Sequence, residues 1–266
     1  MSEFPKLLVV DLDGTALGGG YEPYARIPDP FAAFLGELAS RGCEWATNTT
    51  WGIPDQWPMI QRSDVTPPRF LMGEVGYRLA EIRNGEPVLV EPHTARMFEA
   101  LVEAQRKYLF PLMHDLCSRF DKHRLNFYGH WFEMCPLEKD RKAFFAYVHQ
   151  AYGRGNGLVV DVAEEGKRLI AFPAILGKGA VLRAATDVLG LSPEQVVVAG
   201  DGLQDLDMMR PDLTAHVICP GNSHEEVQRR VRELGGEIGQ DVCGRGTIEA
   251  FAALSRRRGW RRLDRS

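Results

Sequence analysis

No uninterrupted apolar run in this sequence approaches the length needed to cross a bilayer, and the opening MSEFPKLLVV has no charged leader before a long apolar stretch. The expectation is a soluble, cytoplasmic protein with no membrane partner. Cysteine is sparse: Cys43, Cys117, Cys135, Cys219 and Cys243 are odd in number, scattered and never spaced as C-x-x-C. That argues against a disulfide framework or a zinc knuckle and fits a reducing compartment. Basic charge is not in excess, since 32 Lys and Arg stand against 36 Asp and Glu for a net charge of -4. Nothing global therefore calls for nucleic acid. The G-x-S-x-G elbow of serine hydrolases is missing, and the GKG around Lys178 lacks both the Walker loop and a following Ser or Thr. Low-complexity linkers and a convincing long-period repeat are absent as well.

One local exception to the charge balance is the end of the chain. SRRRGWRRLDRS places Arg256, Arg257, Arg258, Arg261, Arg262 and Arg265 around Trp260. Such a pattern suits phosphate chains or acidic surfaces, but a basic end of this kind is more often a solvated helix terminus with a frayed tail.

What is present begins with enough apolar material for a sizeable core: 44% of 266 residues. Short apolar runs alternate with helical periodicity. Residues 7–10 (LLVV) read as a buried strand, 29–41 as an amphipathic helix closed by Gly42, Cys43 to Ala46 as a strand and Arg69 to Met72 as another. After residue 174 the same grammar returns, with a helix over GKGAVLRAATDVLG, strands VVVAG and AHVIC, a helix start at LQDLDMM and a helix over HEEVQRRVREL. Alternation of this kind predicts an α/β fold, a doubly wound (Rossmann-like) parallel sheet.

The middle of the chain reads differently. It offers the strand VLVEP, a helical stretch from Thr94 kinked at Pro111, a hairpin RLNFYGHWFEM, a helix over LEKDRKAFFAYVHQ and the strand pair GLVVDVA and KRLIAFP. This predicts a core of residues 1–85 and 174–266 carrying an inserted α+β domain over 86–173. Phe127, Tyr128, His130, Trp131 and Glu133 on the hairpin are a mix that can stack on and hydrogen-bond a sugar, although alternating aromatics on a hairpin also serve ordinary sheet packing.

Chemistry concentrates at strand ends. In LLVVDLDGT, Asp11 and Asp13 follow the first strand, where residues i and i+2 of an extended segment share a face and ligands of parallel sheets bind. Paired carboxylates repel, which a divalent cation relieves. A calcium loop would use Asp11, Asp13 and Glu22, yet its expected glycine is Ala16 and the preceding segment is strand-like. A second cluster, GDGLQDLDMM, follows the strand VVVA and supplies Asp201 and Asp205, hard oxygen donors suited to Mg²⁺; Asp207 is expected on the helix surface. Thr47 follows CEWA, and Lys178 opens a helix, where an anion is favoured.

DLDGT, Thr47, Lys178 in GKG and GDGLQDLDMM, in that order, resemble the four motifs of the haloacid dehalogenase superfamily. The inserted middle segment, RFLMGEVGYRLAEIRNGEPV ahead of it and CPGNSHEEV near the end are most similar to the Cof-type and sucrose-phosphate phosphatases, whose large α+β cap selects the substrate. The resemblance implies an Mg²⁺-dependent phosphomonoesterase acting on a sugar phosphate or similar small phosphorylated metabolite. Asp11 would attack phosphorus and form an aspartyl-phosphate, and Asp13 would protonate the leaving alkoxide and later activate water. Mg²⁺ would be held by Asp11, the Asp13 carbonyl, Asp201 and Asp205, with Thr47 and Lys178 completing the electrostatic cradle.

Asn48 and Asn222 would approach the substrate, although Ser223 with Glu226 also spells an S-x-x-E capping box. The chain departs from the pattern at Gln204, where Asn is usual, and at TNTTW, where many relatives carry Gly-Arg after the Thr. A phosphomutase with the same core and a noncatalytic binding protein on this fold remain the alternatives.

Overall fold

The first strand, LLVV, is wholly buried because it lies at the centre of a sheet covered on both faces. In the computed structural model, which describes residues 3–18, 26–152, 157–163 and 166–260, the elements follow in chain order. The first stretch comprises β1 (Leu7–Val10), α1 (Asp29–Ser40), β2 (Glu44–Asn48), α2 (Ile53–Gln61), β3 (Phe70–Gly73), β4 (Arg78–Arg83) and β5 (Glu86–Leu89). Then come α3 (Glu91–Ala104), α4 (Phe110–Arg119), β6 (Lys122–Phe127), β7 (Phe132–Pro136), α5 (Arg141–Tyr152), β8 (Leu158–Ala163) and β9 (Arg168–Pro173). The last stretch holds α6 (Lys178–Leu189), β10 (Val196–Ala199), β11 (His216–Cys219), α7 (Glu225–Glu233), β12 (Glu237–Ile238) and α8 (Cys243–Arg258). Two compact units result, one of residues 1–94 and 177–266 and one of 95–176.

The larger unit is built on an eight-stranded sheet of order β12-β11-β10-β1-β2-β3-β4-β5. Its first six strands pair in parallel, and β4 and β5 close the edge as antiparallel neighbours. Alternate residues of β1 feed the two faces. Leu8 and Val10 join a core with Phe31, Leu35 and Leu38 of α1 and Phe251 and Leu254 of α8. Leu7 and Val9 join another with Val181 and Leu182 of α6 and Val227 and Val231 of α7. Each such side chain contributes about 1.5–3 kcal/mol by burial, so the strand is fixed from both sides. The sheet order reverses at β1, with β2 and β3 on one side and β10 to β12 on the other. That places the switch point of the fold at the end of LLVV.

The strand from VLVEP belongs to the large sheet as β5, hairpinned to β4, and not to the middle segment. Its signal was Asn84-Gly85: with φ of 52° and 79° and Arg83 paired to Glu86, they form the two-residue turn that Asn-Gly favours. The basic end of the chain is partly structural, since Trp260 is buried against Phe4, Phe251 and His216 and Arg257 pairs with Glu237 at 3.1 Å. Arg261, Arg262 and Arg265, like Glu22, lie outside the described residues. No helix among the described residues is long and apolar enough to cross a membrane.

The smaller unit is an antiparallel sheet of order β6-β7-β9-β8, packed through Phe132, Met134, Leu169 and Ala171 on Leu112 and Leu116 of α4 and Phe144 and Val148 of α5. The expected kink near Pro111 takes the form of a π-helical turn, Gln105–Leu109, which ends two residues before the proline. The extra residue in that turn accommodates a proline ring and a missing N–H. On the hairpin, Glu133 is buried and committed to Arg168 at 2.8 Å, Arg124 at 3.3 Å and the Asn126 amide at 2.7 Å. Tyr128 and Trp131 stack on each other at 4.1 Å across the turn.

Candidate active site

Register brings the polar residues to one edge. Val10 pairs with Ala199 on one side and with Thr47 on the other, and the Asp11 N–H donates to Ala199 O at 3.0 Å. Asp11, Thr47 and Asp201 therefore stand at the carboxyl ends of three adjacent strands. Gly14, at φ 74°, turns the chain back toward Asp201, and a Cβ built there would lie 2.3 Å from the Asp201 carboxylate. Only glycine allows both the conformation and the approach. The neighbouring Thr15 hydroxyl donates to Asp201 Oδ1 at 2.6 Å.

Asp205 organises the cluster from below. A short 3₁₀ turn, Leu203–Asp207, stands where a helix start was expected. It points Asp205 Oδ2 at the N–H groups of Asp201 (2.8 Å) and Gly202 (2.9 Å), while Oδ1 accepts from Lys178 Nζ at 2.6 Å. Lys178, buried at the first position of α6, also reaches Asp11 Oδ1 at 2.8 Å. Asp207, expected on a helix surface, instead accepts from the Gly179 N–H at 2.7 Å and so caps the start of α6. Gly179 is obligatory for that contact, because a Cβ there would sit 2.4 Å from Asp207 O.

Asp11, Asp201 and Asp205 offer carboxylate oxygens that all lie within 4.8 Å of one another. Such crowding raises the cost of charge. Burial pushes the Asp11 carboxyl above its usual range, opposed by Lys178 and reinforced by Asp205 and Asp201. Burial likewise lifts Asp201 to about 6, against the Thr15 hydrogen bond and with the charge of Asp205. Lys178 is held charged: burial works against its ammonium, but Asp11 and Asp205 outweigh that and raise its pKa. Hard oxygens short of positive charge fit a small divalent cation. Both oxygens of Asp205 are already engaged, which makes it chiefly the anchor of Lys178 and the Asp201 loop and leaves Asp11 and Asp201 as the more open donors.

The other expected site residues take varied places. Thr47 lies inside β2 and donates its hydroxyl to Gln56 Oε1 at 2.6 Å. Asp13 is exposed, and its Oδ2 accepts from the Trp51 indole at 2.7 Å. Asn48, expected against substrate, is fully buried with its amide donating to Lys178 O at 2.9 Å. Its place is behind the lysine. Asn222, expected near phosphate, donates to Gly14 O at 2.9 Å and accepts from the Cys243 N–H at 2.6 Å, so it clamps the Asp13 turn to the start of α8. The Ser223–Glu226 capping box does not form: His224 is the cap, accepting from the Glu226 N–H, and Ser223 donates to Pro220 O. Gln56 and Trp51 had no distinguishing sequence signal.

The fold is that of the haloacid dehalogenase-like hydrolases. The sucrose-phosphatase of Synechocystis, solved with sucrose and phosphate, superposes with a TM-score of 0.68 over 95% of this chain and 99% of its own at 16% identity. A haloacid dehalogenase-like hydrolase from Bacillus subtilis does so with a TM-score of 0.58 over 97% and 94% at 15% identity. Among curated proteins, a glucosylglycerol-phosphate synthase of Pseudomonas anguilliseptica is 25% identical over 261 residues, 92% of this chain. The chain spans only 30% of that relative's length. No protein-family model matches the sequence.

Proposed function

We propose that this protein is an Mg²⁺-dependent phosphomonoesterase that acts on a phosphorylated glycoside through an aspartyl-phosphate on Asp11. The observation that carries the proposal is the placement of Asp11 at the sheet edge beside Lys178 and Asp201, with Asp13 two residues further along the same turn. A binding protein has no use for the second carboxylate. Asp11 attacks phosphorus as the ester P–O bond breaks. Asp13 gives its proton to the departing alcohol oxygen, then takes one from the water that displaces Asp11. Lys178 keeps its charge beside the developing negative oxygens. Asp11, Asp201 and the Asp13 carbonyl would hold Mg²⁺, which would supply further neutralisation of the phosphoryl group.

The substrate class rests on two relatives. One binds sucrose with phosphate, and the other is named for making glucosylglycerol phosphate; both ligands are glycosides. In this reading the protein removes the phosphate left by glycosyl transfer to, or from, a phosphorylated partner. Substrate choice is assigned to the inserted unit, residues 95–176. The test is inorganic phosphate release from glucosylglycerol phosphate, sucrose phosphate and other sugar phosphates, with Mg²⁺ or a chelator. Mg²⁺-dependent release led by a phosphorylated glycoside is expected. Conversion of substrate without phosphate release would replace the reading with a mutase, and a folded, Mg²⁺-loaded protein inert toward every ester would sink it.

Metal binding should also carry a pH signature. Asp201 has a pKa of about 6, and Asp11 lies above the normal carboxylate range. Both must lose their protons to hold the cation, so Mg²⁺ affinity should rise from pH 5.5 to 8 with release of protons. Calorimetric titration in buffers of different ionisation heat measures that release. An affinity flat across the interval would count against these ligands.

A further inference from the structure

The turn after β2 carries a side chain for which the phosphomonoesterase reading has no role. The Trp51 carbonyl accepts from Gln56 Nε2 at 2.9 Å and from the Glu74 N–H at 3.1 Å. Gln56 is itself fully buried, taking the Thr47 hydroxyl proton and reaching Met72 O at 3.3 Å. The backbone of Trp51 is thus fixed from α2 and from the β3–β4 turn. From that fixed point the indole Nε1–H donates to Asp13 Oδ2, 2.7 Å away and 38 residues earlier in the chain.

The consequence follows from what an indole can do. Asp13 is exposed on a tight turn, and an exposed carboxylate left alone samples several rotamers and presents either oxygen. An indole N–H only donates, and the carbonyl oxygen of a carboxylic acid is a better acceptor than its hydroxyl, so the indole favours the form in which the oxygen it engages carries no proton. When Asp13 is protonated, the proton then resides on Oδ1. We propose that Trp51 is a positioning residue for Asp13: its N–H holds Oδ2 so that Oδ1 delivers the proton to the leaving alcohol.

As the ester P–O bond breaks, its electron pair passes to the alcohol oxygen, which takes the Oδ1 proton and leaves Asp13 as a carboxylate. The indole hydrogen bond strengthens as that charge appears, because charge-assisted bonds are the stronger ones. An interaction that grows along the reaction accelerates it. The proposal rests on the phosphomonoesterase reading.

The test compares Trp51→Phe with the wild type on two esters. An alkyl sugar phosphate needs a proton on its leaving oxygen, whereas p-nitrophenyl phosphate leaves as a stable phenolate. The loss in kcat/KM is expected to be about tenfold or more greater for the alkyl ester. In an Asp13→Asn background, adding Trp51→Phe should not change the ratio between esters. A second readout needs no turnover: the indole Nε1–H resonance of metal-free protein, assigned by its absence in Trp51→Phe, should shift in Asp13→Ala. Equal losses on both esters, no loss, or an unmoved resonance would overturn the proposal. Undiminished phosphate release by Asp11→Asn with Trp51 intact would remove the underlying reading, and this proposal with it, a failure visible without any change at Trp51.

Discussion

Asp11→Asn is expected to cut phosphate release by about 10⁴-fold or more, in line with removal of a nucleophile from a site whose parts act as a unit. The amide keeps the shape of the side chain and one oxygen toward Lys178 Nζ, which lies 2.8 Å from Asp11 Oδ1. It removes the negative charge that makes the side-chain oxygen nucleophilic toward phosphorus. Folding should not suffer to match, because the substitution also removes one of three carboxylates crowded within 4.8 Å. A thermal melt close to that of the wild type, beside the kinetic loss, is the expected pair of results. Residual activity above about a tenth of the wild type would mean that water attacks phosphorus directly, and the covalent step would have to be abandoned.

How far the site was visible in the sequence depends on how far apart its partners lie. Asp11, Asp201 and Lys178 were legible because each follows a strand or opens a helix, and the local pattern of apolar runs places those ends on one edge of a parallel sheet. Asp207 was not, since its role is set by the Gly179 N–H, 28 positions earlier. The same holds for Asn48, turned to the Lys178 carbonyl 130 positions away, and for Asn222, which reaches Gly14 across 208. Ser223 shows the converse. A correct local motif was present, but the Ser223 hydroxyl found Pro220 O and the cap passed to His224. The β4–β5 hairpin was readable from Asn84-Gly85 alone. The alternation of strand and helix that identified the core gives no weight to an antiparallel edge, and so left β5 in the wrong unit.

Lys178→Met is expected to destabilise the metal-free protein by about 3–5 kcal/mol near neutral pH, the range for removing one partner of a buried ion pair. Lys178 is 2% exposed, and its ammonium lies 2.8 Å from Asp11 and 2.6 Å from Asp205. Methionine fills a similar volume, so the packing of α6 against the sheet survives and the loss is electrostatic. The sign of the pH dependence follows from Asp201. Burial lifts its carboxyl to about 6, and Lys178 is among the groups that hold it down. Without the lysine it rises further, so above about pH 6 the folded variant keeps a proton that the folded wild type has released. The variant then goes on losing stability with rising pH where the Asp201 contribution of the wild type has levelled off, so the deficit should be large at pH 7.5 and shrink toward pH 5. In the wild type the raised lysine pKa contributes stability that is fully present below its unfolded value of about 10.4. Urea unfolding of both proteins at the two pH values measures the difference. A deficit below about 1 kcal/mol at neutral pH, or one that grows on acidification, would show that Lys178 does not bear the charge balance of this site.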